Sequence, residues 1–247
     1  MSAAALSVHD LTVNFGALVA VNSISFDAAP GRITSVIGPN GAGKSSLFNL
    51  ISGAIRPTAG MVRLEGVDVT GRPPFRMLAA GLARSFQITN LFFELSVIEN
   101  LRLAAQILEP PLRSLLPVAR SPRALRRADE LLESFGLSGK AHELAGSLSH
   151  GEQRRLEIAV ALAGYPRVLL LDEPTQGMSH GDTAETAEMI RRLAGEMTVL
   201  LIEHDIGLVM TLSDHVVVMH QGRKLAEGTP AAVRADPAVQ AAYFGHA

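Results

Sequence analysis

Apolar and polar positions along the chain change period twice, which divides the sequence into three stretches. In the first, Leu6, Val8, Leu11 and Val13 alternate loosely with polar residues, and Ile24 and Phe26 follow the same habit. Period-two alternation predicts half-buried strands. Pro30-Gly31 marks a turn, and Arg32–Ile37 is a short β-branched run that ends in glycine. Residues 45–51 read as the helix that follows, 53–60 as a loop and 61–69 as a hairpin. From about residue 89 to 165 the spacing is helical: Val97–Ala105 and Ala124–Phe135 carry apolar residues at three- and four-residue intervals. Between them, residues 109–122 hold four prolines and read as loop. From 166 onward strand and helix alternate again, as Val168–Leu171, Thr183–Ala194, Thr198–Ile202, Ile206–Leu212 and His215–Met219. Such alternation predicts parallel strands joined by crossover helices. The expected architecture is one α/β domain, built from residues 1–88 and 166–247, with a helical insertion at 89–165. No internal repeat is visible.

Composition narrows the function classes. The chain has 247 residues, enough to bury a sizeable core. Apolar residues are 47% and charged residues 19%, outside the disordered range. The net charge of -2 disfavours a protein that grips nucleic-acid backbone. Cysteine is absent, which excludes disulfides, thiolate metal sites and cysteine nucleophiles. No secretory signal is expected from the first ten residues, and no apolar run approaches the ~20 residues needed to cross a bilayer. Mean hydropathy is nevertheless +0.23. We read this as a buried sheet together with a surface that meets another protein.

Two motifs carry chemistry. Gly38-Pro39-Asn40-Gly41-Ala42-Gly43-Lys44-Ser45, followed by Ser46, matches the phosphate-loop pattern G-x-x-x-x-G-K-[ST] in full. Glycines let successive N–H groups turn inward on phosphate oxygens, and the next helix presents its N-terminus to the same anion. Lys44 can reach the β- and γ-phosphates and Ser45 Oγ can ligate Mg2+. The alternative, a glycine-rich turn with a chance lysine, competes poorly: the chain has only three lysines, at 44, 140 and 224. The second motif is an apolar run, Val168–Leu171, that ends in Asp172 and Glu173. A buried parallel strand delivers such acids to the crevice where α/β sheets bind ligands. There Asp172 would hold Mg2+ through water, and Glu173 would orient or deprotonate an attacking water.

With these motifs in place, the sequence resembles the ATP-binding subunits of ABC transporters. Leu148-Ser149-His150-Gly151-Glu152-Gln153 resembles the signature segment, usually LSGGQ, and precedes a helix read as Gln153–Ala163 with Ser149 as its N-cap. It departs from the usual pattern at His150, and reads G-E-Q where G-G-Q is usual. The resemblance implies a P-loop NTPase core with a mixed sheet, an N-terminal antiparallel β-subdomain and an inserted α-helical subdomain. It implies ATP and Mg2+ as cofactors. It implies a head-to-tail pair of subunits, in which Ser149, Gly151 and Glu152 meet the nucleotide held by the other copy. It assigns Gln87 to sensing Mg2+ and water, His204 to the γ-phosphate, and Phe15 to stacking on adenine. One segment departs: Gln176-Gly177-Met178-Ser179 lacks an aspartate that is usual there.

Further stretches narrow the resemblance to the branched-chain (hydrophobic) amino-acid uptake subfamily: residues 15–22, 83–92, 154–159, 226–230 and 242–245. The implied partners are a second ATPase subunit, two integral membrane permeases and, indirectly, a periplasmic solute-binding protein. The implied location is the cytoplasmic face of the inner membrane. Urea and amide importers, lipid or lipopolysaccharide exporters, non-transport ATPases and a binding module without turnover remain open at this point. Phe92, Phe93 and Leu95 are expected either to grip a permease helix or to form ordinary core.

Overall fold

The computed structural model describes residues 4–85, 91–110 and 121–244. The alternation at the N-terminus forms two long antiparallel strands, β1 (Leu6–Phe15) and β2 (Leu18–Ala28). The looseness of the pattern has a structural cause. Leu6 and Val8 face inward, then the phase slips so that Leu11 and Val13 do. Asp10 takes φ 46° at the slip, and Ser23 takes φ 52° in the facing strand. The register shifts there on both strands, so the two irregularities compensate each other. Ser25 Oγ accepts the Asp10 N–H at 2.7 Å, which satisfies an amide displaced from the ladder.

The expected hairpin at 61–69 is β4 (Ala59–Leu64) and β5 (Val67–Asp68). Glu65 and Gly66 both have positive φ, 47° and 81°, as a two-residue hairpin turn demands. These strands form a four-stranded sheet ordered β2-β1-β4-β5.

The second sheet carries the buried runs. β3 (Ile33–Ile37), β7 (Val168–Asp172) and β8 (Thr198–Ile202) are buried along their whole length. With β6 (Leu82–Ser85), β9 (His215–His220) and β10 (Arg223–Gly228) they form a six-stranded sheet ordered β10-β9-β3-β8-β7-β6. All neighbours are parallel except the β9–β10 pair, so the sheet is mixed. Strand periodicity did not predict β6 or β10, because Leu-Ala-Arg-Ser and Arg-Lys-Leu-Ala-Glu-Gly carry no apolar alternation. Both lie at sheet edges, where pairing with a buried neighbour decides the conformation.

Helix α1 (Lys44–Ile51) follows β3 and buries Leu47, Phe48, Leu50 and Ile51. The short α2 (Pro74–Ala79) was not expected. In the middle stretch, α3 (Val97–Ala105) has the expected bounds and is capped by Ser96. Helix α4 (Pro122–Ser134) starts two residues before its expected first residue, Ala124, with Pro122 in its first turn. That corrects the last residue of the proline-rich loop, since a residue without an N–H suits a position whose amide has no partner. Residues 111–120 of that loop lie outside the described residues. Helix α5 (His150–Ala161) begins three residues before the expected Gln153, directly behind the Ser149 cap, and a single 3-10 turn carries the chain on to Gly164.

Helix α6 (His180–Ala194) likewise starts three residues before Thr183. Its cap is Ser179, whose Oγ accepts the Asp182 N–H. Helices α7 (Ile206–Leu212), α8 (Pro230–Ala235) and α9 (Pro237–Phe244) complete the chain. One apolar core unites the middle helices with the outer face of the β3–β8–β7 strands through Leu101, Leu131, Leu156, Leu169 and Leu201. A second core joins the four-stranded sheet, α1 and the other face through Leu11, Phe48, Leu170 and Leu200.

Candidate functional site

The phosphate loop leaves β3 at Gly38 and ends where α1 begins. Two of its glycines have no room for a side chain. A Cβ on Gly38 would lie 2.2 Å from the Met219 carbonyl oxygen, and one on Gly43 would lie 2.4 Å from that of Ala20. The loop is therefore pressed against β9 from one side and β2 from the other. The first-turn amides of α1 have no carbonyl partner within the helix, which leaves them to an anion. Lys44 opens the helix and folds back over the loop, donating to the carbonyls of Gly38 at 2.7 Å and Pro39 at 3.1 Å. Burial holds its ammonium below the usual lysine range, against the opposing pull of Glu173 and Asp172. Behind the loop, Tyr243 of α9 packs in the small core that contains Ile37. Burial pushes its phenol up to about 12, against a hydrogen bond from the Gly38 main chain.

The acids arrive on β7 as its sequence implies. Asp172 is buried, with Oδ2 held by Arg84 Nη2 at 2.9 Å. Its Oδ1 has no hydrogen-bond partner among the described residues. Glu173 is also buried and takes φ 49°, the left-handed region that non-glycine residues rarely visit. Its N–H donates to the Ile202 carbonyl at 2.9 Å, so the strained turn is fixed by β8. Its Oε1 meets His204 Nε2.

Several residues that motif reasoning passed over hold this turn. Arg84 also donates to Asn49 Oδ1 at 2.7 Å and Ser52 Oγ at 3.0 Å, tying α1 to Asp172. Buried Glu203 accepts from the N–H and Oγ of Thr175, at 3.0 and 2.7 Å, and from the His204 N–H at 3.1 Å. It joins the exits of β7 and β8. Arg154, buried in α5, donates to the carbonyls of Pro174 and Asp172, each at 3.1 Å, and pairs with Glu157 at 2.7 Å. The signal for Arg84 lay in a strand that shows no alternation. Arg154 is a cation on an otherwise buried helix face. Replacing Arg154 with Met strands the Glu157 carboxylate and two carbonyls. We expect a loss of about 3–5 kcal/mol in denaturant unfolding, and a smaller loss when Glu157→Met is added.

A cavity of 600 Å³ gathers these parts: Phe15, residues 40–46, Glu173 and His204 all line it. Phe15 stands 47% exposed at its rim, on the last residue of β1, with its ring free for a planar group. The donor set fits a hard cation at a phosphate: the Ser45 hydroxyl, and the Asp172 carboxylate, one oxygen of which has no partner among the described residues. Gln87 lies outside the described residues. Ser149, Gly151 and Glu152 line a separate cavity of 630 Å³ against α4 and α6, so one copy of the chain does not bring them to its own phosphate loop. Ser149 caps α5 in a reciprocal box: its hydroxyl accepts the Glu152 N–H, and the Glu152 carboxylate accepts the Ser149 N–H. A Cβ on Gly151 would come within 3.2 Å of Asp182 Oδ1, so that glycine also serves packing.

A family model described as ABC transporter matches residues 21–176, more than half of the chain. The chain belongs to the ABC transporter family. ABC ATP-binding proteins are ATPases coupled to transport. A second model, described as branched-chain amino acid ATP-binding cassette transporter, matches residues 223–247. The chain is 41% identical to the high-affinity branched-chain amino acid transport ATP-binding protein BraF of Pseudomonas aeruginosa over 256 residues, covering all of both chains. It is 43% identical to LivG of Escherichia coli K12, a protein of the same description, again over the full length of both. Among solved structures, a nucleotide-free ATP-binding cassette from an ABC transporter superposes with a TM-score of 0.88 at 32% identity, over 98% of this chain and all of that one. An ABC cassette in its ADP conformation gives 0.87 at 32% identity. The fold is thus the ABC P-loop NTPase cassette with its mixed and antiparallel sheets. Among the described residues, no helix of this ABC subunit is long and apolar enough to cross a membrane.

Proposed function

We propose that this ABC subunit powers the uptake of branched-chain amino acids, through partner permeases, by binding and hydrolysing ATP in the cavity between Phe15, the phosphate loop, Glu173 and His204. The observation that carries the reading is that one cavity holds all four. Phe15 stacks on adenine. The amides of residues 40–46 and the Lys44 ammonium hold the phosphates. Ser45 and Asp172 would hold Mg2+, which supplies charge neutralisation at the transferring phosphate. Glu173, presented by its left-handed turn, orients and deprotonates the water. His204 leaves Glu173 for the γ-phosphate when nucleotide enters. Gln87 senses the same phosphate and carries its state to the helical insertion at 89–165.

The second cavity supports a paired assembly. Ser149, Gly151 and Glu152 present a helix N-terminus, suited to the γ-phosphate held by another ATPase subunit, identical or related. ATP then bridges two subunits, and hydrolysis removes the charge that both bind. Phe92 and Phe93 are 60% and 42% exposed and so are not core. They offer an apolar grip for a permease helix at the cytoplasmic face of the inner membrane. The solute follows from what the relatives' names state and from the C-terminal model.

The test is ATP hydrolysis by the complex co-purified with its membrane partners and its solute-binding protein. Leucine, isoleucine or valine should stimulate it. Stimulation by another solute, with none by these three, overturns the solute assignment. Phe15→Ala should raise the KM for ATP about 5- to 150-fold, with kcat little changed, since base–aromatic stacking is worth about 1–3 kcal/mol. Phe15→Trp should retain the wild-type KM, and an unchanged KM in the alanine variant removes the stacking role.

A further inference from the structure

The signature segment of this chain places an acid, Glu152, in the first turn of the helix that is to receive a phosphate. Asp182 flanks Gly151, and Glu133, Glu185 and Glu188 line the same cavity, where Arg155, paired with Glu185 at 3.9 Å, and Arg192 offset part of their charge. A carboxylate there repels an incoming anion and itself draws on the favourable potential of the helix end. Both oxygens of Glu152 are engaged. Oε2 accepts the Ser149 N–H at 2.9 Å, and Oε1 pairs with Lys140 Nζ at 2.8 Å. Lys140 is one of three lysines in the chain, and it ends the short 3-10 turn 138–140 that follows α4. We infer that Lys140 is a positioning residue that neutralises Glu152, so that this signature segment can accept the γ-phosphate of the nucleotide held by a second subunit.

This inference rests on the proposed role of Ser149 and Gly151 across the subunit pair. The protonation equilibria agree with it. Lys140 and the Ser149 main chain pull the Glu152 carboxyl down to about 2, and Glu152 raises the Lys140 ammonium. Both groups therefore stay charged at neutral pH, so the repulsion cannot be relieved by protonating the acid. Lys140 acts by cancelling a charge beside the phosphate.

The experiment measures ATP hydrolysis, against ATP concentration, by the transporter complex carrying this full-length subunit. Four variants are compared: Lys140→Ala, Glu152→Gln, the two combined, and Ser149→Arg as a control on the underlying reading. Lys140→Ala should raise the KM for ATP about fivefold or more, because it exposes an uncompensated carboxylate to the phosphate. Glu152→Gln should lower it below wild type, since glutamine still completes the cap and frees a cation. In the combined variant KM should return to within about twofold of wild type. If Lys140 only anchored the helix end, Glu152→Gln would be as impaired as Lys140→Ala, which overturns the proposal. Equal damage from Lys140→Ala with Glu or Gln at 152 overturns it as well. A neutral Lys140→Ala beside an inactive Ser149→Arg defeats this proposal alone. A neutral Ser149→Arg defeats the paired-subunit reading on which it stands.

Discussion

Glu173→Gln lowers ATP turnover by about 10²–10⁴-fold while leaving ATP affinity within a few-fold of wild type. Glutamine keeps the size of the side chain and can still hydrogen bond to His204, so the left-handed turn at residue 173 and its N–H bond to Ile202 persist. What disappears is the ability to take a proton from water. Removing the carboxylate also relieves repulsion with the γ-phosphate, so binding is not weakened. The paired state held together by ATP should accumulate, because the step that removes the bridging charge is blocked. Single-turnover phosphate release measures the chemistry, and ATP-dependent association of the subunits measures the trapped state. Turnover like that of wild type would take the role of base away from Glu173.

Lys44→Ala should raise the dissociation constant for ATP by about a hundredfold or more. Charge-assisted bonds of an ammonium to phosphate are worth about 1.5–3 kcal/mol each, and Lys44 can make more than one. The folded state should hardly suffer. Without nucleotide, Lys44 is a cation held over two carbonyls in a site whose burial disfavours its charge. Its removal therefore costs few favourable interactions, and the thermal midpoint should stay within a few degrees of wild type. Titration of a fluorescent ATP analogue, with circular dichroism melting in parallel, separates lost binding from lost folding. An unchanged dissociation constant would contradict the cradle formed by residues 38–46.

The two strongest motifs were legible because each is a continuous run whose residues act together. The phosphate loop sits between a strand and a helix that both carry clear apolar patterns. β7 reads as a buried strand because Val168–Leu171 has no polar interruption. Phe15, His204 and the signature serine were legible only through resemblance, since a lone aromatic, histidine or capped serine has an ordinary structural use. Helix starts were misplaced by three residues at α5 and α6. There polar residues, His150–Glu152 and His180–Asp182, fill the first turn and hide its periodicity, while the serine cap before each marks the true boundary.

By itself the sequence determined the α/β class, the phosphate loop, the paired acids at the end of β7 and the family. These depend on neighbours along the chain, where spacing translates directly into backbone geometry. Only the tertiary structure decided that Arg84 neutralises one oxygen of Asp172, that Glu203 and Arg154 clamp the acid-bearing turn, and that Lys140 meets Glu152. Arg84 and Asp172 are 88 residues apart. Pairings of that kind arise from strand order and helix packing, and a residue type at one position does not specify which distant charge it will face.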